Sequence, residues 1–326
     1  MRRIFRWPLR LAAFLFLAFA GVLALGPRDS VNTDVSFDAS ALPDNLDEYL
    51  SQREGLFSDI TPGTEKRILW AGLPGERTPL SVIYLHGFSA TSEEIRPLPD
   101  DVAAALGANL YYARLAGHGR GATALAGAAA EDWVLDLDEA LAIGRRIGER
   151  VLVIGTSTGG TLAALAAIDP ARSQGLAGVV LISPNFRLAP LAARLLDLPF
   201  APVWGLWIAG AERSFAPASE AHARYWTTRY PTVALFPMAA LTRVVRAMDV
   251  TRTRVPALFV FAPNDRVVDA GLTARIAADW GGAATIHQPE LTAADDPYAH
   301  VLAGRILSPD QTVPLTGVIL DWAGKL

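Results

Sequence analysis

The sequence contains no cysteine. This absence excludes disulfide bonds, thiolate metal sites and a cysteine nucleophile together. Charged residues are scarce at 19%. The formal net charge of −4 does not show the excess of basic residues that is typical of a nucleic-acid-binding protein. The spacings of the H-E-x-x-H zinc motif and of the EF-hand loop are also missing. We therefore expect no nucleic-acid partner, no metal and no cofactor.

The N-terminus is the one segment with a strongly biased amino-acid composition. Four arginines within the first ten residues precede an uncharged run over residues 11–27. As a helix, this run would span about 25 Å, slightly less than the ~30 Å hydrocarbon core of a bilayer. Residues 1–28 are therefore predicted to be a signal peptide or an N-terminal membrane anchor. The remaining chain is then expected outside the cytoplasmic membrane or anchored to it.

The rest of the chain alternates between strand and helix patterns. Residues 29–65 are polar and are interpreted as an N-terminal extension. From residue 66, short β-branched runs alternate with helical periodicity. Because these strands are apolar on both faces, we expect an α/β fold, with a mainly parallel sheet between two layers of helices. The strand candidates are 66–72, 80–85, 109–115, 151–155, 177–183, 256–262 and 283–288.

One interval breaks this alternation. Residues 185–250 hold no strand that fits the series, and they are rich in Trp, Phe, Tyr and Met. An insertion at the carboxyl edge of a parallel sheet would overhang the ligand site. We interpret the interval as a helical cap or lid, and not merely a packing subdomain, inserted between the core segments 66–184 and 251–326.

A Gly-x-Ser-x-Gly turn, Gly155-Thr156-Ser157-Thr158-Gly159, links a buried strand to a helix. A serine hydroxyl is a poor nucleophile unless it is held exposed beside a base. A tight strand–turn–helix holds it so, with the helix N-terminus beneath the reacting centre. The pentapeptide alone is weak evidence, because small residues also cluster in such turns for packing. A phosphate loop would need a Gly-Lys-Ser/Thr sequence, which does not follow. Ser157 is the predicted nucleophile.

An oxyanion formed at this serine would need two N–H donors. One is expected from Thr158, which follows the nucleophile. The other is expected from Phe88, in the loop after the strand 80–85. His86 in the same loop is interpreted as a loop-ordering residue and not the base, since the acid and the base follow the serine in this arrangement.

The acid and the base are sought downstream of Ser157. Asp265 follows a strand candidate, where a carboxylate can orient an imidazole. Its rival Asp269 occupies the position of a helix N-cap. His300 lies between the last strand and the last helix, from where it can reach both partners. We predict Asp265 as acid and His300 as base, and interpret His287, inside a strand candidate, as a structural histidine.

Taken together, these residues resemble the α/β-hydrolase superfamily over residues 66–326. The motifs HGF, GTSTG, NDRVV and YAH occur in the order typical of that superfamily. RLAGHGRG at 114–121, EDWVLDL at 131–137 and the position of the insertion resemble the monoacylglycerol lipase and carboxylesterase branch. A departure is the threonine on each side of the serine, where members often have His, Leu or another bulky residue. The resemblance implies that Ser157 is the nucleophile, Asp265 the acid and His300 the base. It also implies that the backbone N–H groups of Phe88 and Thr158 bind the oxyanion.

The implied reaction is acyl transfer in two steps, with release of an alcohol and then of the acid. We therefore expect a serine hydrolase of the carboxylesterase or lipase type, acting on small-molecule esters with a lipophilic acyl group. An acyltransferase or thioesterase with the same triad is an alternative. A non-catalytic, membrane-tethered binding protein with a hydrolase-like fold is another, disfavoured because every triad position is filled.

Overall fold

The computed structural model describes residues 6–326, and the main sheet in this part of the chain has seven strands. The strands, including two outside that sheet, are β1 (Arg67–Leu69), β2 (Thr78–Leu85), β3 (Asn109–Tyr112), β4 (Gly148–Thr156), β5 (Leu176–Ile182), β6 (Glu212–Ser214), β7 (Arg229–Pro231), β8 (Ala257–Val260) and β9 (Ala284–His287). The order in the main sheet is β1-β3-β2-β4-β5-β8-β9. All neighbours are parallel except β1 and β3. The predicted mainly parallel sheet is confirmed.

Helices cover both faces of this sheet. The helices of the described chain are α1 (Arg6–Leu25), α2 (Leu46–Glu54), α3 (Leu98–Leu106), α4 (Gly121–Gly127), α5 (Ala130–Ile147), α6 (Thr158–Ile168), α7 (Ala201–Ala209), α8 (Glu220–Tyr225), α9 (Leu235–Arg246), α10 (Ala270–Ala278) and α11 (Pro309–Ala323). The last helix begins at Pro309, since proline is well tolerated in the first turn of a helix.

Alternate residues of the central strands bury into two separate cores. Ile83 and Leu85 of β2 join the core that α5 and α6 cover, whereas Val82 and Tyr84 join the core that α3 and α11 cover. This follows from the two-residue period of a strand, which sends successive side chains to opposite faces. Because both faces are covered, the loops at the carboxyl ends of the parallel strands are left to carry function.

The insertion over residues 185–250 holds α7, α8 and α9 together with a two-stranded antiparallel sheet of β6 and β7. It is fastened to the loop after β2, where the N–H of Thr227 donates to the carbonyl of Ser89 at 2.7 Å. The rings of Phe88 and Tyr230 also meet edge to face, with centroids 5.3 Å apart. The insertion therefore covers the carboxyl edge of the sheet, and its action as a lid stays a prediction.

The N-terminal apolar segment forms α1. Within residues 6–326, none of the helices is sufficiently long and apolar to cross a membrane. The signal peptide or anchor over residues 1–28 stays a prediction. Arg2 and Arg3, on which that prediction partly rests, lie outside the described residues.

The extension over residues 29–65 is held to the core by apolar packing and one buried ion pair. Leu46 and Leu50 of α2 lie in the same core as α5. At the end of α2, both carboxylate oxygens of Glu54 accept hydrogen bonds from the Arg114 guanidinium, each at 2.7 Å. Bidentate pairs of this kind are the strongest side-chain hydrogen bonds. The extension is thus part of the folded unit.

Removal of one partner of this pair is expected to destabilise the protein. Glu54→Ala leaves the Arg114 charge buried and uncompensated, which costs about 3–5 kcal/mol in the free energy of unfolding. Urea unfolding followed by circular dichroism measures the loss. Asp44→Ala is the matched control, because the pair of Asp44 with Arg146 is exposed and should contribute ~1 kcal/mol or less. Equal losses in the two variants would contradict the account.

Candidate active site

Ser157 lies at the tight turn between β4 and α6. Its backbone has φ 53° and ψ −114°, a positive φ that is uncommon for a residue with a side chain. A Cβ on Gly159 would lie 2.0 Å from the carbonyl oxygen of Leu85, and one on Gly155 would lie 2.3 Å from that of Gly159. Both glycines are therefore required by the close approach of backbone to backbone.

Two backbone N–H groups near this turn are free. Thr158 is the first residue of α6, where an N–H has no partner within the helix. In residues 6–326, no hydrogen bond is donated by the N–H of Thr158 or of Phe88. Thr158 follows Ser157 directly, and Phe88 lines the same cavity as Ser157. Free donors of this kind are what a developing oxyanion requires.

His86 orders the loop that carries Phe88, as expected. Its Nδ1 lies 2.9 Å from the carbonyl oxygen of Gly87, which can only accept, so Nδ1 carries the proton. Its Nε2 accepts from the N–H of Leu115 at 3.1 Å. With both nitrogens engaged and the ring fully buried, burial first of all holds the pKa of His86 well below its ordinary value.

Asp265 and His300 meet across the loops after β8 and β9. The Oδ1 atom of Asp265 accepts from the N–H groups of Val267 at 2.7 Å and Val268 at 2.9 Å. Its Oδ2 atom lies 2.9 Å from Nδ1 of His300. Because a carboxylate only accepts, Nδ1 donates this hydrogen bond, and Nε2 is left with its lone pair.

The backbone around His300 is fixed from two sides. The Asp296 carboxylate accepts from the N–H groups of His300 at 3.0 Å and Val301 at 2.9 Å. The hydroxyl of Ser183, which follows β5, donates to the carbonyl of His300 at 2.7 Å. Neither partner could be predicted from the sequence, because both act on the backbone of a loop.

The surroundings of His300 favour its protonated form. Burial alone would lower the pKa of this imidazole, but the charge and hydrogen bond of Asp265 outweigh it, with further help from the charges of Glu94 and Asp296. The pKa of His300 is therefore raised above its ordinary value. The neighbouring carboxylates therefore stabilise the imidazole ring once it has taken up a proton.

A cavity of about 480 Å³ joins Ser157 and His300 beneath the insertion. This volume is typical of small-molecule sites. Between Ser157 Oγ and the His300 ring, both described in the structure, no hydrogen bond is present; such contacts often tighten only when substrate binds. Most of the wall comes from residues 185–250, including the apolar side chains Leu188, Leu196, Phe215, Trp226, Leu235 and Met238.

The rejected alternatives lie outside this cavity. Asp269 caps α10 by accepting from the N–H of Leu272 at 2.8 Å, and it also pairs with Arg187. His287 lies in β9 and is half-buried. Within the described part of the chain, no cluster of three or more His, Asp or Glu side chains is arranged to hold a metal ion.

The polar residues of the cavity wall that the sequence did not single out include Glu94, Asn185 and His222. Glu94 belongs to a charged stretch that is typical of an exposed loop, yet it is 2% exposed. Its nearness in sequence to the HGF motif is the one signal that could have identified it. The other two belong to the insertion, whose path over the sheet does not follow from periodicity.

Comparison with known proteins gives concordant matches. The model of the alpha/beta hydrolase family matches residues 82–315. The thermostable monoacylglycerol lipase of Bacillus sp. (strain H-257) is 28% identical over 196 residues, which are 60% of this chain and 74% of the relative.

Solved structures show the same fold. A structure of the metagenome-derived lipolytic enzymes LipS and LipT has a TM-score of 0.67 at 22% identity, and the match covers 82% of this chain and all of that one. The monoacylglycerol lipase of Paleococcus ferrophilus has a TM-score of 0.57 at 17% identity, with 79% and 97% of the two chains covered. At these identities the likeness concerns the fold alone.

The pKa of His300 is expected to fall in Asp265→Asn. The variant keeps an acceptor of similar shape but removes the anion that stabilises the imidazolium, so the protonated form is lost at lower pH. Titration of the imidazole resonances by NMR measures this, with His300→Gln as the variant that assigns the His300 signal. A His300 pKa that stays at its original value in Asp265→Asn would contradict the account.

Proposed function

This chain belongs to the alpha/beta hydrolase family, and within it we propose a hydrolase of the lipase and esterase type that cleaves carboxylic esters through Ser157. The observation that carries the proposal is the 2.9 Å contact between His300 Nδ1 and Asp265 Oδ2. It leaves Nε2 of a charge-stabilised imidazole as the free base, in the same cavity as a serine on a strained turn.

The first half of the reaction transfers the acyl group to the enzyme. Ser157 Oγ attacks the ester carbonyl while His300 Nε2 takes its proton. The N–H groups of Phe88 and Thr158 bind the resulting oxyanion. Collapse of this intermediate breaks the bond to the alcohol oxygen, which receives the proton from the imidazolium. The alcohol leaves, and the acyl group stays on the serine as an ester.

The second half frees the acid. A water molecule takes the place of the alcohol and loses a proton to His300 as it attacks the acyl carbonyl. The same two N–H groups bind the second oxyanion. The Ser157 oxygen then leaves and recovers a proton from the imidazolium, so the enzyme returns to its starting state. Asp265 stays ionised throughout and stabilises the charged ring.

The walls of the cavity support a lipophilic acyl group as substrate. Side chains of the insertion such as Leu188, Leu235 and Met238 line it together with aromatic rings. Each methylene of the acyl chain that moves from water to these apolar walls contributes favourably to the free energy of binding. The relative from Bacillus is a monoacylglycerol lipase, and a fatty acyl ester of a small alcohol is the substrate class we propose here.

Loss of Ser157 or His300 is expected to abolish ester hydrolysis. Ser157→Ala and His300→Ala should each lower kcat on p-nitrophenyl esters by on the order of 10⁴-fold or more, and the double variant should lose little further, because the two act as a unit. His287→Ala is the matched control and should keep wild-type activity. Absence of turnover in the wild type would refute the proposal. Full activity in His300→Ala with loss in His287→Ala would refute the choice of base.

Longer acyl chains are expected to react faster until the cavity is filled. Each added methylene is worth up to ~0.8 kcal/mol of burial, or about fourfold in kcat/KM. A series of p-nitrophenyl esters from acetate to dodecanoate measures the trend at one pH and below the solubility limit. A rate that is highest for acetate and falls steadily with length would contradict a lipophilic acyl site.

A further inference from the structure

Glu94 is a buried carboxylate that the reaction above does not use. Its neighbour Glu93 is also buried but pairs with the guanidinium groups of Arg96 and Arg305, at 2.7 and 2.8 Å. Glu94, by contrast, has no Arg or Lys within ion-pair distance among residues 6–326. Burial of a carboxylate without a cationic partner is costly. Glu94 lies in the wall of the cavity, so this unfavourable burial suggests that the side chain has a function there.

The hydrogen bonds of Glu94 join the two halves of the site. Its Oε2 accepts from the N–H of Gly87 at 2.8 Å and from the Tyr84 hydroxyl at 2.9 Å. That hydroxyl also lies 3.2 Å from Oγ1 of Thr156, the residue before the nucleophile. One carboxylate therefore links the loop that carries Phe88 to the turn that carries the serine. This gives Thr156 a role that its sequence position alone does not explain.

The carboxyl group of Glu94 and the nucleophile Ser157 both pack against Gly87. A Cβ placed on Gly87 would lie 2.7 Å from Glu94 Oε1 and 3.2 Å from Ser157 Cβ. Since the Gly87 N–H is taken by Glu94, it is not free to bind an oxyanion. The next N–H along the loop, that of Phe88, donates no hydrogen bond within residues 6–326. The hydrogen bond from Gly87 to Glu94 thus fixes the loop at the residue before Phe88.

Glu94 and His300 both line the same cavity, where their charges act on one another. Burial raises the pKa of Glu94 to about 6, against the hydrogen bonds from Gly87 and Tyr84 and the charge of His300, which act in the opposite direction. In return, the Glu94 carboxylate helps to raise the pKa of His300, after Asp265 and together with Asp296. Asp265, Glu94 and Asp296 are the groups whose charges raise the pKa of His300. Arg213 and His222 of the insertion also line the cavity.

We propose that Glu94 is a positioning residue: it holds the turn that presents the Phe88 N–H, and its negative charge stabilises protonated His300. The inference rests on the proposed function of Ser157 and His300. It assigns separate roles to the shape and to the charge of one side chain. Glu94→Gln keeps an acceptor of the same length but removes the charge, whereas Glu94→Asp keeps the charge but shortens the reach to Gly87.

The test is the rate of serine labelling by a fluorophosphonate as a function of pH, because this probe needs no knowledge of the natural substrate. In Glu94→Gln, we expect labelling to slow by roughly tenfold and the midpoint of its acid limb to move to lower pH, since nearby negative charge no longer raises the pKa of His300. In Glu94→Asp, we expect slower labelling with the midpoint close to that of the wild type. The matched control, Glu93→Gln, should keep the wild-type rate and profile.

The outcomes separate this inference from the function on which it rests. A wild-type protein that takes no label, or takes it on a residue other than Ser157, would overturn the proposed function. A labelled wild type whose rate and pH profile are unchanged in Glu94→Gln would overturn the role of Glu94 alone. If Glu94→Gln does not fold, Glu94→Asp decides: slower labelling with an unmoved midpoint supports the positioning role, and a wild-type rate refutes it.

Discussion

The turn between β4 and α6 leaves no space for a side chain at either of its glycines. Gly159 packs against the carbonyl group of Leu85, so the end of β2, the turn and the start of α6 touch through their backbones. This contact brings the loop with the free N–H of Phe88 next to Ser157. Any Cβ at Gly159 would push the two apart, and the serine would lose one of its neighbouring donors. The chemistry proposed for the site thus depends first on the backbone contact at Gly159, and only then on the charges around His300.

Three carboxylates surround His300, and each acts on it in a different way. Asp265 orients the ring through Nδ1. Asp296 holds the backbone that carries the ring, and Glu94 acts through space from the loop after β2. Like charges so close together are unfavourable for folding, but all three favour an imidazolium. The raised pKa values of His300 and Glu94 within one cleft are typical of a functional site.

The sequence predicts the sheet, its helices and the order of the motifs, because buried strands and amphipathic helices leave distinct periodicities. It does not predict the burial of Glu94, which depends on how the loop after β2 folds back beneath the insertion. Nor does it predict the docking of α2, which depends on the long-range pair of Glu54 with Arg114. Local patterns carry no information on partners sixty residues away. Among residues 6–326, the buried hydroxyl of Thr158 has no hydrogen-bond partner, and nothing in the structure explains it.

The most direct test of the site is a crystal structure of the protein after reaction with an alkyl phosphonate, whose tetrahedral phosphorus mimics the first intermediate. We expect a covalent bond from Ser157 Oγ to phosphorus, and one phosphoryl oxygen about 3 Å from the N–H groups of both Phe88 and Thr158. His300 Nε2 should face the position of the leaving oxygen, and the alkyl chain should lie along the insertion. An adduct on another residue, or a phosphoryl oxygen away from both N–H groups, would contradict it.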